Sequence, residues 1–183
     1  GQLGSTSKVS SLPGSPTDGQ TVLFNNWLCR YDASAPFSAY PWAVLGGLPL
    51  RDEVSGTGYT SGTSYANPTS AGPCIVTMPA GINGIVEVEV GGEINMCAGG
   101  HFWQSYSVGG TAASDTWANR MELSGNPLGP DDQQAPIVNL SRKARHTISS
   151  TGVTLTEKTR ENGAADCELT RRYLELMPLF IGT

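Results

Sequence analysis

The 183 residues suffice for one ordinary domain or for a small module joined to a larger one, and a hydrophobic content of 38% allows a real core. Charged residues make up only 15%, with 23 Gly and 12 Pro, a profile of many short strands and tight turns rather than of a helical bundle. The net charge of -5 leaves no general basic surface for phosphates, which excludes nucleic acid as a main partner.

Ser, Gly, Pro and Thr dominate residues 1 to about 18, and residues 1–11 are expected to form an extended arm that orders only against a neighbour. The opening GQLGSTSKVSSLPGSP lacks the apolar segment of a signal peptide, and no apolar run approaches the roughly 18–20 residues that span a bilayer. The expectation is a soluble, unexported chain with no membrane insertion. In TVLFNNWLCRYD, two apolar runs flank Asn25-Asn26, which predicts a β-hairpin because Asn tolerates the positive φ of a tight turn. Residues 12–50 form a predicted small β-hairpin module packed around Trp27, Tyr31, Tyr40 and Trp42. Such a module buries little alone and is expected to lean on the rest of the chain or on another subunit.

Residues 51–183 are predicted to be a β-sandwich domain. Its first stretch, 51–72, holds a short strand at most beside a Gly/Ser/Thr loop; GTGYTSG has neither spacing of a phosphate-binding loop. GIVEVEV puts Val86, Val88 and Val90 on one strand face and Glu87 and Glu89 on the other, the alternation of a half-buried antiparallel strand. Further strands are predicted at 93–97, 101–108, 116–123, 136–149, 152–160 and 167–181, separated by turn-rich gaps. In the last, LTRRYLELM also fits a helix, but Pro178 would break it and strand is preferred. The pattern predicts an all-β fold, the hairpin module plus a jelly-roll-like antiparallel β-sandwich.

Candidate chemistry is sparse. Cys29, Cys74, Cys97 and Cys167 show no CxxC spacing and read as buried free thiols, with a Cys74–Cys97 bridge as the alternative. CAGGH offers half of a zinc site in Cys97 and His101 without a second half, so no metal and no cofactor is expected. The acid pairs Asp52-Glu53, Glu87/Glu89 and Asp131-Asp132 read as solvated surface. No serine has a GxSxG elbow, and the SxxK spacing of Ser5 to Lys8 falls in the arm. No catalytic residue is expected and the chain is read as not an enzyme. In the run Arg142 to His146, alternation puts Arg142, Ala144 and His146 on one face and Lys143 and Arg145 on the other, a solvated strand or subunit contact. Asn139-Leu140-Ser141 has the form of a glycosylation sequon, without meaning in an unexported chain. Trp103, Tyr106 and Trp117 would stack on a sugar if they pointed outward, although aromatics of this size more often fill sandwich interiors.

The phrase SSLPGSPTDGQTVLF followed by WLCRYDASAPFSAYPWAVLGGLPL resembles a module of tailed-bacteriophage virion proteins. There an LPxSPxDGQ phrase leads into a strand, a second strand carries RYD, and a Trp precedes a GG-P-L exit. The matching positions are Leu12-Pro13, Ser15-Pro16, Asp18-Gly19-Gln20, Arg30-Tyr31-Asp32, Trp42, Gly46-Gly47 and Pro49-Leu50. The likeness continues through TMPAGINGIVEVEV and TLTEKTR with CELTRRYLELMPL, so that it spans about residues 11–179. It implies a non-enzymatic virion structural protein, a capsid decoration, head-fibre or minor tail component located on the virion and assembled in the host cytoplasm. It also implies a homotrimer contacting major capsid or tail proteins. Expected contact residues are Leu12, Pro13, Trp27, Tyr40 and Trp42 for docking, with Leu174, Leu176 and Phe180 packing the core or a subunit interface. The alternative is a receptor-binding module that recognises a host surface glycan through Trp103, Tyr106 and Trp117.

Overall fold

Asn25 and Asn26 take φ of 47° and 66°, and with Phe24 paired to Trp27 they close a two-residue turn whose twist suits antiparallel strands. This joins β2 (Thr21–Phe24) to β3 (Trp27–Tyr31), as the paired asparagines predict. The computed structural model describes residues 6–60, 62–95, 100–123, 137–149, 152–162 and 167–182. The remaining strands are β1 (Ser7–Val9), β4 (Trp42–Gly47), β5 (Leu50–Thr60), β6 (Ile75–Thr77), β7 (Asn83–Asn95), β8 (Gly100–Val108), β9 (Asn119–Leu123), β10 (Ile137–Ile148), β11 (Thr154–Asn162) and β12 (Cys167–Gly182). Among the described residues one 3-10 turn, Asp115–Trp117, precedes β9, and the Ser114 hydroxyl caps it by accepting from the Thr116 N–H.

The fold is all-β, a jelly-roll-like sandwich of an eight-stranded and a four-stranded sheet. The larger runs β1-β2-β3-β4-β12-β7-β10, with β5 also paired to β12; the smaller runs β6-β11-β8-β9. β12 is the spine of the larger sheet. One edge follows β7 along nearly its whole length; the other meets β5 from Cys167 to Leu176 and then β4 at Phe180 and Ile181. The N-terminal hairpin is therefore hydrogen-bonded into the same sheet as the sandwich. Ser7–Val9 of the arm pairs in parallel with β2 of its own chain, so these residues order without a second molecule.

Pro178 has no N–H for a ladder, and it sits where the β12–β7 register shifts, a position at which a strand tolerates proline. The strand assignment of this segment holds over its helical alternative. Two other expectations are corrected. Residues 50–60 form an 11-residue strand, not a short one, because β12 supplies a long partner for a stretch whose own sequence is turn-like. The segment GIVEVEV and residues 93–95 of the expected strand 93–97 belong to one strand of 13 residues, β7, which continues through Gly91-Gly92; residues 96 and 97 lie outside the described residues. Those glycines are required by packing. A Cβ on Gly91 would lie 2.5 Å from the Tyr173 ring, which occupies the space a side chain would take, and one on Gly92 would lie 2.6 Å from the Arg171 carbonyl.

Alternation places the core. Val86, Val88 and Val90 are fully buried against Leu155, Leu174, Leu176 and Tyr106, in a cluster that also takes in Phe24, Trp27, Cys29 and Trp42. A smaller cluster of Ile94, Phe102, Met121 and Leu169 fills one end. Among them lies a buried polar group of Arg172, Glu157, Gln104 and Asn119.

Candidate functional site

Glu157 on β11 and Arg172 on β12 face each other from opposite sheets, both completely buried, with Nε donating to Oε2 at 3.2 Å. Arg172 also donates through Nη2 to the Gly72 carbonyl. The Glu157 carboxylate accepts from the Cys74 backbone N–H at 3.0 Å and from Gln104 Nε2 at 2.7 Å. Asn119 Nδ2 completes the chain, donating to Gln104 Oε1 at 2.9 Å and to the Val90 carbonyl at 3.3 Å. A pair this dry is held by geometry and its extra hydrogen bonds more than by net Coulomb energy. It ties the two sheets together and is closed to substrate. Cys74, with a free thiol, sits beside it; burial first and the Glu157 charge second push that thiol up to about 12. Cys29 is likewise free and buried, pushed up to about 11. Cys97, the other half of the alternative Cys74–Cys97 bridge, lies outside the described residues, as do Asp131 and Asp132.

The expected docking residues are largely spent inside the chain. Leu12, Trp27 and Trp42 are buried in the molecule's own core, a correction whose cause is that β12 pairs with β4 and so joins the hairpin to the larger sheet, whose core cluster takes these residues in. Leu174 and Leu176 are core residues. Pro13, Tyr40 and Phe180 are half-exposed, and Phe180 packs edge-on against Phe37 at 5.1 Å. The sugar-stacking aromatics are also engaged within the chain. Tyr106 is fully buried, Trp103 is 7% exposed with the Arg160 guanidinium 3.8 Å above its ring, and half-buried Trp117 donates to the Tyr106 carbonyl at 2.9 Å. Arg160 is in turn held by Asp115 at 2.6 Å. His101 Nδ1 lies 3.1 Å from an Arg120 guanidinium nitrogen. Among the described residues no three His, Cys, Asp or Glu side chains gather as a metal site, and no helix is long and apolar enough to cross a membrane.

Two surface features stand out instead. The first is the β4–β5 corner. Gly47 has φ of +136°, and a Cβ there would lie 2.6 Å from both the Trp27 ring and the Asn26 carbonyl. With the corner so close, the Trp27 indole N–H donates to the Leu48 carbonyl at 2.8 Å. The backbone is thus pinned while the Leu48 side chain stays 79% exposed; Leu45, the extra residue of a bulge against β3, is 57% exposed. Composition and alternation gave no sign of either leucine, because a bulge shifts the register that alternation assumes.

The second is a groove of about 380 Å³ on the outer face of the larger sheet, crossing β10, β7, β12 and β5. Register places Asn139 and Arg171 on either side of Glu93, and Ser141 and Tyr173 on either side of Gly91. The Tyr173 hydroxyl donates to Glu89 at 2.8 Å, and its ring lies 4.2 Å beneath the Arg51 guanidinium. Arg51 is fixed by Glu53 at 2.9 Å and Glu175 at 3.0 Å. Arg171 Nε donates to Glu53 at 2.6 Å, and the hydrogen bonds from Arg51 and then Arg171 hold the Glu53 carboxyl below its usual range. Burial alone would raise Glu89, but hydrogen bonds from Tyr173 and Ser141, with the Lys143 charge, outweigh it and hold it low. Lys143 bridges Glu87 and Glu89 at 3.1 and 3.4 Å, so this acid pair is an ion-paired surface strip. Arg142, on the opposite strand face as alternation requires, donates to the Thr116 carbonyl at 3.4 Å.

No family model and no curated protein sequence matches the chain. Among solved structures it is similar to the Eiger TNF of S. frugiperda, with 10% identity and a TM-score of 0.42 over 72% of this chain and 93% of that one. It is also similar to the insecticidal delta-endotoxin Cry8Ea1 of Bacillus thuringiensis, with 18% identity and a TM-score of 0.34, covering 74% of this chain and 20% of the toxin. Latent PorU of Porphyromonas gingivalis gives 14% identity and a TM-score of 0.44, covering 87% of this chain and 14% of PorU.

Proposed function

We propose that this chain is a non-enzymatic structural protein of a bacteriophage virion, a capsid decoration, head-fibre or minor tail component that stabilises or decorates the particle through subunit contacts as a homotrimer. The observation that carries this reading is the β4–β5 corner, where Leu45 and Leu48 are held in water by a backbone fixed through Trp27 and Gly47. Covering such side chains gains roughly 25 cal/mol per Å² of apolar surface, so a rigid corner that presents them favours association with a complementary surface. The corner also holds Gly46-Gly47 and Pro49-Leu50, the GG-P-L exit of the resemblance to phage virion proteins, with Leu48 lying between them. Copies of the same chain and neighbouring capsid or tail proteins are the partners this reading requires. Immunogold labelling of purified phage particles tests it. Gold at fixed positions on head or tail is the expected result, and absence of the protein from purified particles contradicts the reading.

A further inference from the structure

The groove over Gly91 and Gly92 is built from paired strands, so its polar groups keep their places before any ligand arrives. Its size falls within the ~300–1,000 Å³ common for small-ligand sites. Gly92, Glu93, Asn139, Leu140 and Ser141 line the hollow, and Tyr173, which fills the space a Gly91 side chain would take and is clamped between Glu89 and Arg51, forms one wall. Two guanidiniums converge here on a chain of net charge -5. Arg51 is committed to Glu53 and Glu175, whereas Arg171, with a side chain 65% exposed, engages Glu53 through Nε, and among the described residues its terminal nitrogens meet no partner. Opposite it, exposed Asn139 and Ser141 add an amide and a hydroxyl, and Glu93 adds a carboxylate that accepts from Thr170 at 2.8 Å.

We infer that this groove binds a carboxylated sugar residue of the uronic-acid kind. The carboxylate lies against Arg171, which suits planar two-point recognition. The ring hydroxyls are shared among Asn139, Ser141 and Glu93. Glu93 weighs against a simple anion: its charge repels phosphate and sugar carboxylate alike, but a sugar acid also brings several ring hydroxyls for Glu93 to accept from. The recognised chemistry is the same whether the sugar is free or part of a surface polysaccharide. This assignment stands apart from the virion reading, since it is measured on the purified protein.

The test is calorimetry with trigalacturonate, galacturonate, neutral galactotriose and inorganic phosphate, on the wild-type protein and on Arg171→Gln and Asn139→Ala, both exposed positions. Trigalacturonate is expected to bind, with affinity about tenfold or more lower in Arg171→Gln, the size of one charge-assisted hydrogen bond, and lower again for galactotriose. A trimer of sugars binding while galacturonate alone does not would place the source in a polymer; equal binding per residue would place it in the free sugar. The inference is overturned if trigalacturonate shows no binding up to about 10 mM, if both variants bind as the wild type does, or if phosphate binds more tightly than the sugar acid.

Discussion

His146 is enclosed by Tyr106, whose hydroxyl lies 2.6 Å from its Nε2, and by the Trp117 ring, and this burial holds its pKa below the ordinary 6.5. Unfolding therefore takes up a proton at mildly acidic pH. Stability present above pH 6.5 is lost as the pH falls towards the depressed folded-state value. The melting temperature is expected to drop between pH 7.5 and about pH 5, and to drop less in His146→Gln, as thermal scans across that range will report. The two free thiols give a second expectation. Cys29 and Cys74 are buried with raised pKa values, so iodoacetamide at pH 8 should leave both unlabelled in the native protein and label both in urea, as peptide mass mapping will show. Thiol burial was legible in the sequence from the cysteine spacing. The ring contacts of His146 were not, because alternation says which residues share a face and not what the opposite sheet places against it.

At the level of strands, the sheets depend on positions where backbone approaches backbone. A Cβ on Gly84 would fall 2.1 Å from the Phe180 carbonyl, so Gly84→Ala should destabilise by about 1–3 kcal/mol in urea denaturation while exposed Gly14→Ala should not. Between the sheets, Arg172→Met strands the buried Glu157 charge and is expected to cost about 3–5 kcal/mol; replacing both partners by apolar residues of similar volume should restore most of it. The β7 alternation and the Asn25-Asn26 turn could be read directly, since each is a local rule. β5 could not, because its strand character comes from its β12 partner and not from GTGYTSG. Nor could the buried role of Glu157: in TLTEKTR it looks like any surface acid of a half-exposed strand, and only the second sheet's Arg172 reveals which face turns inward.

Across the whole molecule, apolar surface is largely satisfied within one chain, since the hairpin that seemed to need a partner is completed by β12. Among the described residues, what remains outside is the corner of Leu45 and Leu48, together with Phe37 and Ile75. Of the groove residues the sequence singled out only Asn139 to Ser141, as a sequon; Arg51, Asn139 and Arg171 lie far apart in sequence and meet only through the pairing of four strands. For assembly, substitution at an exposed leucine changes monomer stability by about 0.5 kcal/mol or less while removing contact area. The most direct test is the mass of the purified protein at tens of micromolar, compared with Leu48→Ser, by sedimentation equilibrium. A species of three times the 19.2 kDa chain that dissociates in the variant is the predicted result, and a wild-type protein that stays at 19.2 kDa would contradict the self-assembling structural role.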